Sequence, residues 1–358
     1  MKYKLGELLE QVDENNSNLK YGLDDIIGVT IEKEIIPTIA NLSTTNLSKF
    51  IIVKPHYFIY NPRTHGKKIG LGYNNKEKEY IASWNNNVFK IKDKMKDLVS
   101  TDYLYLYFNR DIWDKEACFN AWGSSTVVLL WENFCNIKIN LPSIEEQENI
   151  VEKFNEINKF INIKKNIIIN LEKIAYLQYL KLIENSVEKK KIKLKDIAKI
   201  SAGGDNPGDV VEKPDEQHKI PVYSNGTRKD GLFGYTKKEK ISKNSITISA
   251  RGAIGYTVYR SEPYCPIVRL VSVTPFEDIH TEFLYFLLKN NIYAENGTSQ
   301  QQVTIPYFEK MEIELPKEED LTVFHENINP ILNNIAINKK IINNLEELKL
   351  NIISRIAN

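Results

Sequence analysis

FCNIKINLPSIEEQENIVEKFNEINKFINIKKNIIINLEK, residues 134–173, decides the fold, because the chain carries it twice. Its counterpart is FEKMEIELPKEEDLTVFHENINPILNNIAINKKIINNLEE at 308–347, displaced by 174 residues. Extended to 123–184 against 297–358, the register holds without a gap and 18 of 62 positions are identical. Ile, Asn and Lys are abundant here and inflate such a score. Gly123 with Gly297, Phe134 with Phe308, and Leu141-Pro142 with Leu315-Pro316 do not. A period this long is no solenoid. It implies two whole domains, each followed by a helix.

The helical parts carry a heptad-like seam. Ile150, Phe154, Ile157, Ile161, Ile168, Leu171 and Ala175 recur at spacings of four and three, with Lys164 interrupting. In the second copy Phe324, Ile328, Ile331, Ile335, Ile342, Leu345 and Ile352 repeat the pattern, interrupted by Asn338 and Lys349. Such a stripe buries itself between two helices. A helix of about 40 residues is roughly 60 Å long and cannot bury its stripe alone, so the two copies are expected to pack together. Lys164 and Asn338 occupy equivalent seam positions, where polar residues either fix register or merely mark the edge of the core. Pro330 replaces Glu156 of the first copy. It predicts a kink, or a short helix at 318–328 followed by the long one.

Upstream of each helix the chain reads as β-rich. FIIVKPHYFIY, VFKI and CNIKINL are strand candidates in the first half; IPVYS, SITISA, GYTVY, IVRLVSV and KMEIEL are candidates in the second. A short helix fits each half, TDYLYLYFNRD at 101–111 and TEFLYFLLKNN at 281–291. The length of 358 residues supports more than one domain. Hydrophobic residues at 42% and charged residues at 27% describe an ordinary globular chain. No apolar run approaches a membrane span, and the first residues lack a signal-peptide core, so a cytoplasmic protein without a membrane partner is expected. Cys118, Cys135 and Cys265 are scattered and form neither a disulfide frame nor a zinc motif. A net charge of +1 neither demands nor forbids nucleic acid.

The motifs of covalent chemistry are missing. There is no GxxxxGK[ST] loop, no GxGxxG turn and no GxSxG elbow. Tyr60-Asn61-Pro62-Arg63 is a little like the Asn-Pro-Pro-Tyr motif of adenine methyltransferases, but lacks the second proline and the aromatic that would stack on a flipped base. PDEQHK at 214–219 has the residue types of a metal-dependent nuclease in a charged loop rather than on a strand. The histidines, His56, His65, His218, His280 and His325, show no metal-like spacing. No catalytic residue and no metal ligand is expected in this chain.

What remains is a set of loops suited to nucleic acid. YNPRTHGKKIGLGYNNK (60–76) offers Arg63, His65, Lys67, Lys68, Tyr73 and Asn74. YSNGTRKDGLFGYTKK (223–238) offers Asn225, Thr227, Arg228 and Lys229, and ISARGAIGYTVYR (248–260) adds Arg251 and Arg260. WGSSTVV (122–128) and NGTSQQQVT (296–304) carry Ser124, Ser125, Ser299, Gln300 and Gln301. Arg and Lys grip phosphates or guanine edges, and Asn and Gln pair with adenine. The plainer reading is that NGT and DG are hairpin turns and that KK pairs are solvated surface.

Over essentially its full length the chain resembles the specificity subunit of type I restriction–modification systems. YKLGELLEQ at 3–11 and IKLKDIAKISAGG at 192–204 are similar to the opening segments of its target recognition domains. FIIVKPHYFIYNPRTHGKKIGLGY and SARGAIG resemble their central segments. LPSIEEQENIVEKF at 141–154 and GTSQQQVTIPYFEKMEIELP at 297–316 resemble their ends, with Leu321 where the first copy has Gln147. The resemblance implies an α+β fold of two target recognition domains, 1–142 and 187–316. Each would be followed by a spacer helix, 143–186 and 317–358, the two packing as an antiparallel coiled coil with pseudo-twofold symmetry. It also implies that each recognition domain reads one half of a bipartite site on double-stranded DNA. Two methyltransferase subunits would carry S-adenosylmethionine and methylate adenine N6, and restriction subunits would use ATP and Mg. A methylation-only or type IIB-like assembly is the near alternative, and a helical protein-binding scaffold the alternative of a different class.

Overall fold

The structure, a computed structural model, describes all residues except 39–43, 66, 124–126, 243, 292–302 and 357–358, and gives no side chain for His65. Two compact units form: Met1–Asn162 with Asn343–Asn358, and Ile163–Ile342. Each unit is therefore a β-rich domain plus a stretch of both long helices, a partition that cuts across the sequence blocks.

The first unit is built on the strand Phe58–His65, whose first residues, Phe58–Tyr60, are buried on both sides. Alternation along a strand sends Phe58 and Tyr60 to one face and Ile59 to the other. The first face meets Phe89, Phe108, Trp113 and Phe134 in an aromatic core, while Ile59 joins Ile27, Ile51, Val53 and Val88. Phe58 stacks on Phe89 at 5.1 Å between ring centroids and Tyr60 on Phe134 at 4.9 Å. One sheet orders Leu9–Val12, Asn87–Ile91, Phe58–His65 and Lys68–Tyr73; the other orders Ile35–Pro37, Ile26–Val29, Tyr80–Ala82 and Ile51–Val53. The expected helix at 101–111 is two, Thr101–Phe108 and Asp111–Phe119.

In the second unit Ala198–Ala202, Val271–Pro275, Ser245–Ile248 and Thr257–Arg260 form a four-stranded sheet, backed by the helix Thr281–Lys289. A three-stranded sheet orders Leu232–Thr236, Ile220–Tyr223 and Cys265–Pro266. IVRLVSV contributes only its end to a strand, because Val268 and Arg269 adopt positive φ (53° and 60°) and turn the chain.

Both units close in the same way. A strand at the entry of each pairs antiparallel with the strand before its long helix: Lys2–Lys4 with Lys138–Asn140, and Lys189–Lys193 with Glu312–Pro316. In the second clasp Lys191 faces Glu314 and Lys193 faces Glu312, and such cross-strand charge pairs favour the register.

The long helices run Ile144–Asn185 and Glu318–Arg355. Ile161, Ile168, Ala175, Ile328, Ile335 and Ile342 are buried, as the seam requires. Leu332 and Ile353 are the buried residues where the pattern pointed to Ile331 and Ile352. In the first unit Ile150 and Phe154 join the core that holds Ile356, while Lys349 reaches Asn158 at 2.7 Å and lies over the Phe154 ring. In the second, Tyr179 meets Phe324 and Ser186 donates to Asp320. As one helix advances its partner retreats, so the pairing in each unit is antiparallel.

Pro330 does not divide the second helix, contrary to the short helix expected at 318–328. It lies on the exposed face, so the carbonyl it frees is open to water, while Phe324, Ile328 and Leu332 stay buried around it.

Asn338 is buried in the seam. Its amide nitrogen donates to the Asn334 carbonyl and side chain, and its Oδ1 has no partner among the described residues. Asn338→Leu is expected to raise stability by about 1–3 kcal/mol, the cost of an unpaired buried acceptor. Urea unfolding of the two proteins checks this.

Candidate nucleic-acid interface

In the first unit the candidate residues sit at one hairpin, formed by Phe58–His65 and Lys68–Tyr73. Its register shifts between Tyr60 and Thr64, so Asn61, Pro62 and Arg63 form a bulge. Proline cannot donate to the ladder and is confined to such places. The Asn61 side chain accepts from the Arg63 amide at 3.0 Å and fixes the bulge. The methyltransferase-like tetrapeptide is therefore a bend in a strand. Beyond it, Arg63, Lys67 and Lys68 are exposed and form no ion pair among the described residues.

Tyr73 and Asn74, read as candidate DNA contacts, are turned inward. The Tyr73 ring stacks on Phe58 at 4.9 Å, its hydroxyl bonds His56 Nδ1 at 2.9 Å, and burial pushes its pKa up. Asn74 is buried; its amide donates to the Val53 and Lys78 carbonyls and accepts from the Lys76 amide. Both shape the turn from inside. Ser124, Ser125, Ser299, Gln300 and Gln301 lie outside the described residues, as does the His65 side chain.

The hairpin is zipped to the segment 127–129. Thr64 donates to the Val127 carbonyl at 3.0 Å and Leu129 to the Pro62 carbonyl at 2.8 Å. Val128 thus sits opposite Arg63 on one side, and on the other it pairs with Trp122. Beneath the hairpin lies a buried ion pair that the sequence conceals. Lys33 Nζ donates to Asp114 Oδ1 and to the Ile69 carbonyl, each at 2.6 Å, and the Ile69 amide donates to the same Asp114 oxygen. Burial outweighs the carboxylate and holds Lys33 below the ordinary lysine pKa.

In the second unit Asn225 ties two loops together. Its Nδ2 donates to the Val268 carbonyl at 2.7 Å and its Oδ1 accepts from the Ala250 amide at 2.8 Å. With both ends of its amide engaged, it braces the loops rather than presenting an adenine-reading edge. Thr227, Arg228 and Lys229 are exposed on the turn that follows. That turn is left-handed at Lys229, Asp230 and Gly231, and a Cβ on Gly231 would meet the Ser224 carbonyl oxygen at 2.4 Å. Glycine is required there.

Arg260, another candidate DNA contact, is also turned inward. It is buried with its guanidinium 3.5 Å from the Tyr223 ring centroid, donating to Thr247 Oγ1 and to the Asp230 carbonyl. Burial lowers its pKa. Burial would raise the pKa of Asp230 too, but Lys339 at 2.8 Å and the Tyr256 hydroxyl at 2.6 Å hold it below the carboxylate norm. Arg260 and Asp230 thus fasten the turn that carries Arg228. Arg251 is half-buried beside Gly252. Arg269 is a residue the sequence reading missed: it is exposed next to the Val268 carbonyl that Asn225 grips. The signal was obscured because VR reads as part of a β-branched strand.

Among the described residues no group of His, Cys, Asp and Glu could hold a metal ion, and no helix is long and apolar enough to cross a membrane. The arrangement can offer exposed cations on braced turns, one set in each unit. That is the chemistry of phosphate and base-edge contact.

Comparison with known proteins gives a concordant result. The sequence model of the family described as the type I restriction modification DNA specificity domain matches residues 1–173 and again 186–347. A putative type I specificity subunit of Mycoplasma pneumoniae is 35% identical over 187 residues, which is 50% of this chain and 51% of that protein. A second one from the same organism is 34% identical over 143 residues, 39% of this chain and 43% of that protein. The matched region thus spans about half the length of the curated relatives. The crystal structure of a type I restriction-modification system S subunit from M. genitalium superposes with a TM-score of 0.61 at 12% identity, covering 100% of this chain and 96% of that one. At that identity the likeness is one of fold.

Proposed function

Because this chain belongs to the type I restriction modification DNA specificity family, we propose that it is the sequence-specific DNA-recognition subunit of a restriction–modification enzyme. Each unit reads one half of a bipartite site. The observation that carries this reading is the double family match, one for each half of the chain, laid over two units that each present exposed cations on braced turns. Arg63, Lys67 and Lys68 serve the first unit, and Thr227, Arg228, Lys229 and Arg269 the second. The paired helices act as the ruler and as the platform for two methyltransferase subunits. S-adenosylmethionine belongs to those partners; ATP and Mg belong to restriction subunits where the assembly includes them.

Sequencing of modified bases in cells that express this chain with its methyltransferase tests the proposal. A methylated motif of two short half-sites separated by a fixed spacer is expected. A continuous motif, or none, would refute it. Exchanging residues 191–315 for another recognition domain should alter one half-site only.

The ruler has its own test. Seven residues, two helical turns, inserted near Asn166–Leu171 and at the equivalent place near Lys340–Leu345 preserve the seam. They lengthen each helix by about 10 Å, roughly three base pairs at 3.4 Å each. The spacer is expected to grow by about that number with both half-sites unchanged. Altered half-sites over a constant spacer would show that the helices are not the ruler.

A further inference from the structure

We propose that Trp122 is a specificity-determining residue of the first unit, placing its indole ring against base edges of the half-site while Arg63, across Val128 from it, holds the backbone. The proposal rests on the DNA-recognition reading above.

Trp122 is held and yet displayed. Its amide donates to the Val128 carbonyl at 3.0 Å and its carbonyl accepts from the Val128 amide at 2.9 Å, so both of its backbone polar groups are engaged by the pair. Its side chain is nevertheless 76% exposed. Scattered exposed apolar residues are ordinary, so the comparison within the unit matters. Trp113 is fully buried, and the half-exposed Trp84 packs its ring edge-on against Phe50 at 5.8 Å. Trp122 makes no ring contact among the described residues. Gly123 follows at φ 144°, in the region that favours glycine.

Cations stand on the hairpin one strand away from Trp122. Val128 pairs antiparallel with both Arg63 and Trp122. Paired residues project to the same face of a sheet, so Arg63 and Trp122 flank Val128 on one face. Their Cα atoms are about 10 Å apart, the sum of a narrow and a wide antiparallel pair. Lys67 and Lys68 stand exposed at the tip of the same hairpin. On a duplex a guanidinium at this spacing can meet a phosphate while an aromatic ring makes apolar contact with base edges. In the repeat register Trp122 aligns with Asn296, so the aromatic belongs to one half only. That is the behaviour expected of a residue that distinguishes one half-site from the other.

The test uses the complex of the full chain with its methyltransferase. Two duplexes serve as probes: one with the methylated motif, one with the first unit's half-site scrambled, each titrated over a salt series. Trp122→Ala is expected to weaken binding to the motif by roughly 5- to 100-fold, the range for loss of one aromatic–base contact. It should leave the scrambled duplex and the salt dependence unchanged. Trp122→Phe should keep most of the affinity. Arg63→Ala should weaken both duplexes alike and reduce the salt slope by about one. If Trp122→Ala binds the motif within twofold of the native chain, or Trp122→Phe falls as far as Trp122→Ala, the role of Trp122 is overturned while DNA recognition stands. If the native complex does not distinguish the two duplexes, the underlying reading fails instead.

Discussion

Asp114→Ala is expected to destabilise the first unit by about 3–5 kcal/mol, the usual cost of removing one partner from a buried ion pair. Asp114 Oδ1 accepts from Lys33 Nζ at 2.6 Å and from the Ile69 amide at 3.0 Å. Both groups are buried, and nothing else near them carries negative charge to replace the carboxylate among the described ion pairs. Lys33 already titrates below the lysine norm, so without Asp114 its charged form is disfavoured further. The loss falls on the strand Lys68–Tyr73, which forms one arm of the hairpin that carries Arg63, Lys67 and Lys68. Equilibrium urea unfolding of the first unit measures the effect. A double variant, Lys33→Met with Asp114→Leu, should recover much of it, because two apolar side chains leave no orphaned charge. Recovery no better than Asp114→Ala would mean that the bond to the Ile69 amide, not the ion pair, carries the energy.

Glu282→Ala is expected to cost the second unit a comparable amount. Glu282 is fully buried on the helix Thr281–Lys289, where it accepts from the Tyr259 hydroxyl at 3.2 Å, Asn329 Nδ2 at 3.0 Å and His325 Nδ1 at 2.7 Å. One carboxylate thus ties a strand, the short helix and the second long helix together. Truncation leaves three donors short of an acceptor, each at about 1–3 kcal/mol when buried. The partly exposed His325 recovers water, so two stranded donors remain and the total is about 2–6 kcal/mol. Thermal unfolding with a probe confined to the second unit should register the loss. Glu282→Gln keeps an acceptor and the shape of the side chain, so it should lie between the native protein and Glu282→Ala; equal stability of the two variants would show that cavity formation dominates.

Much of this architecture is legible along the chain. The seam of Ile161, Ile168, Ile335 and Ile342 follows from spacing alone, since a helix buries whatever stripe recurs every three to four residues. The strands around Phe58 and Ile246 follow from β-branched and aromatic runs. Less legible was the role of each charged or polar residue. Arg260 and Arg63 are the same residue type in loops of similar composition, yet one lies over Tyr223 inside the unit and the other is exposed at a bulge. Lys33 and Asp114 read as surface charges, 81 residues apart, until the fold brings them to 2.6 Å.

The sequence alone therefore determined the duplication, the two helices and the family, because these are written in periodicities and in motifs that repeat in register. Only the tertiary structure decided which side chains of the candidate loops face outward. It placed Tyr73, Asn74 and Arg260 inside, engaged both ends of the half-buried Asn225 amide, and left Arg63, Lys68, Arg228, Arg269 and Trp122 exposed. The reason is physical: burial and hydrogen-bond satisfaction depend on what the rest of the chain brings within about 3 Å, and no local pattern encodes that distance.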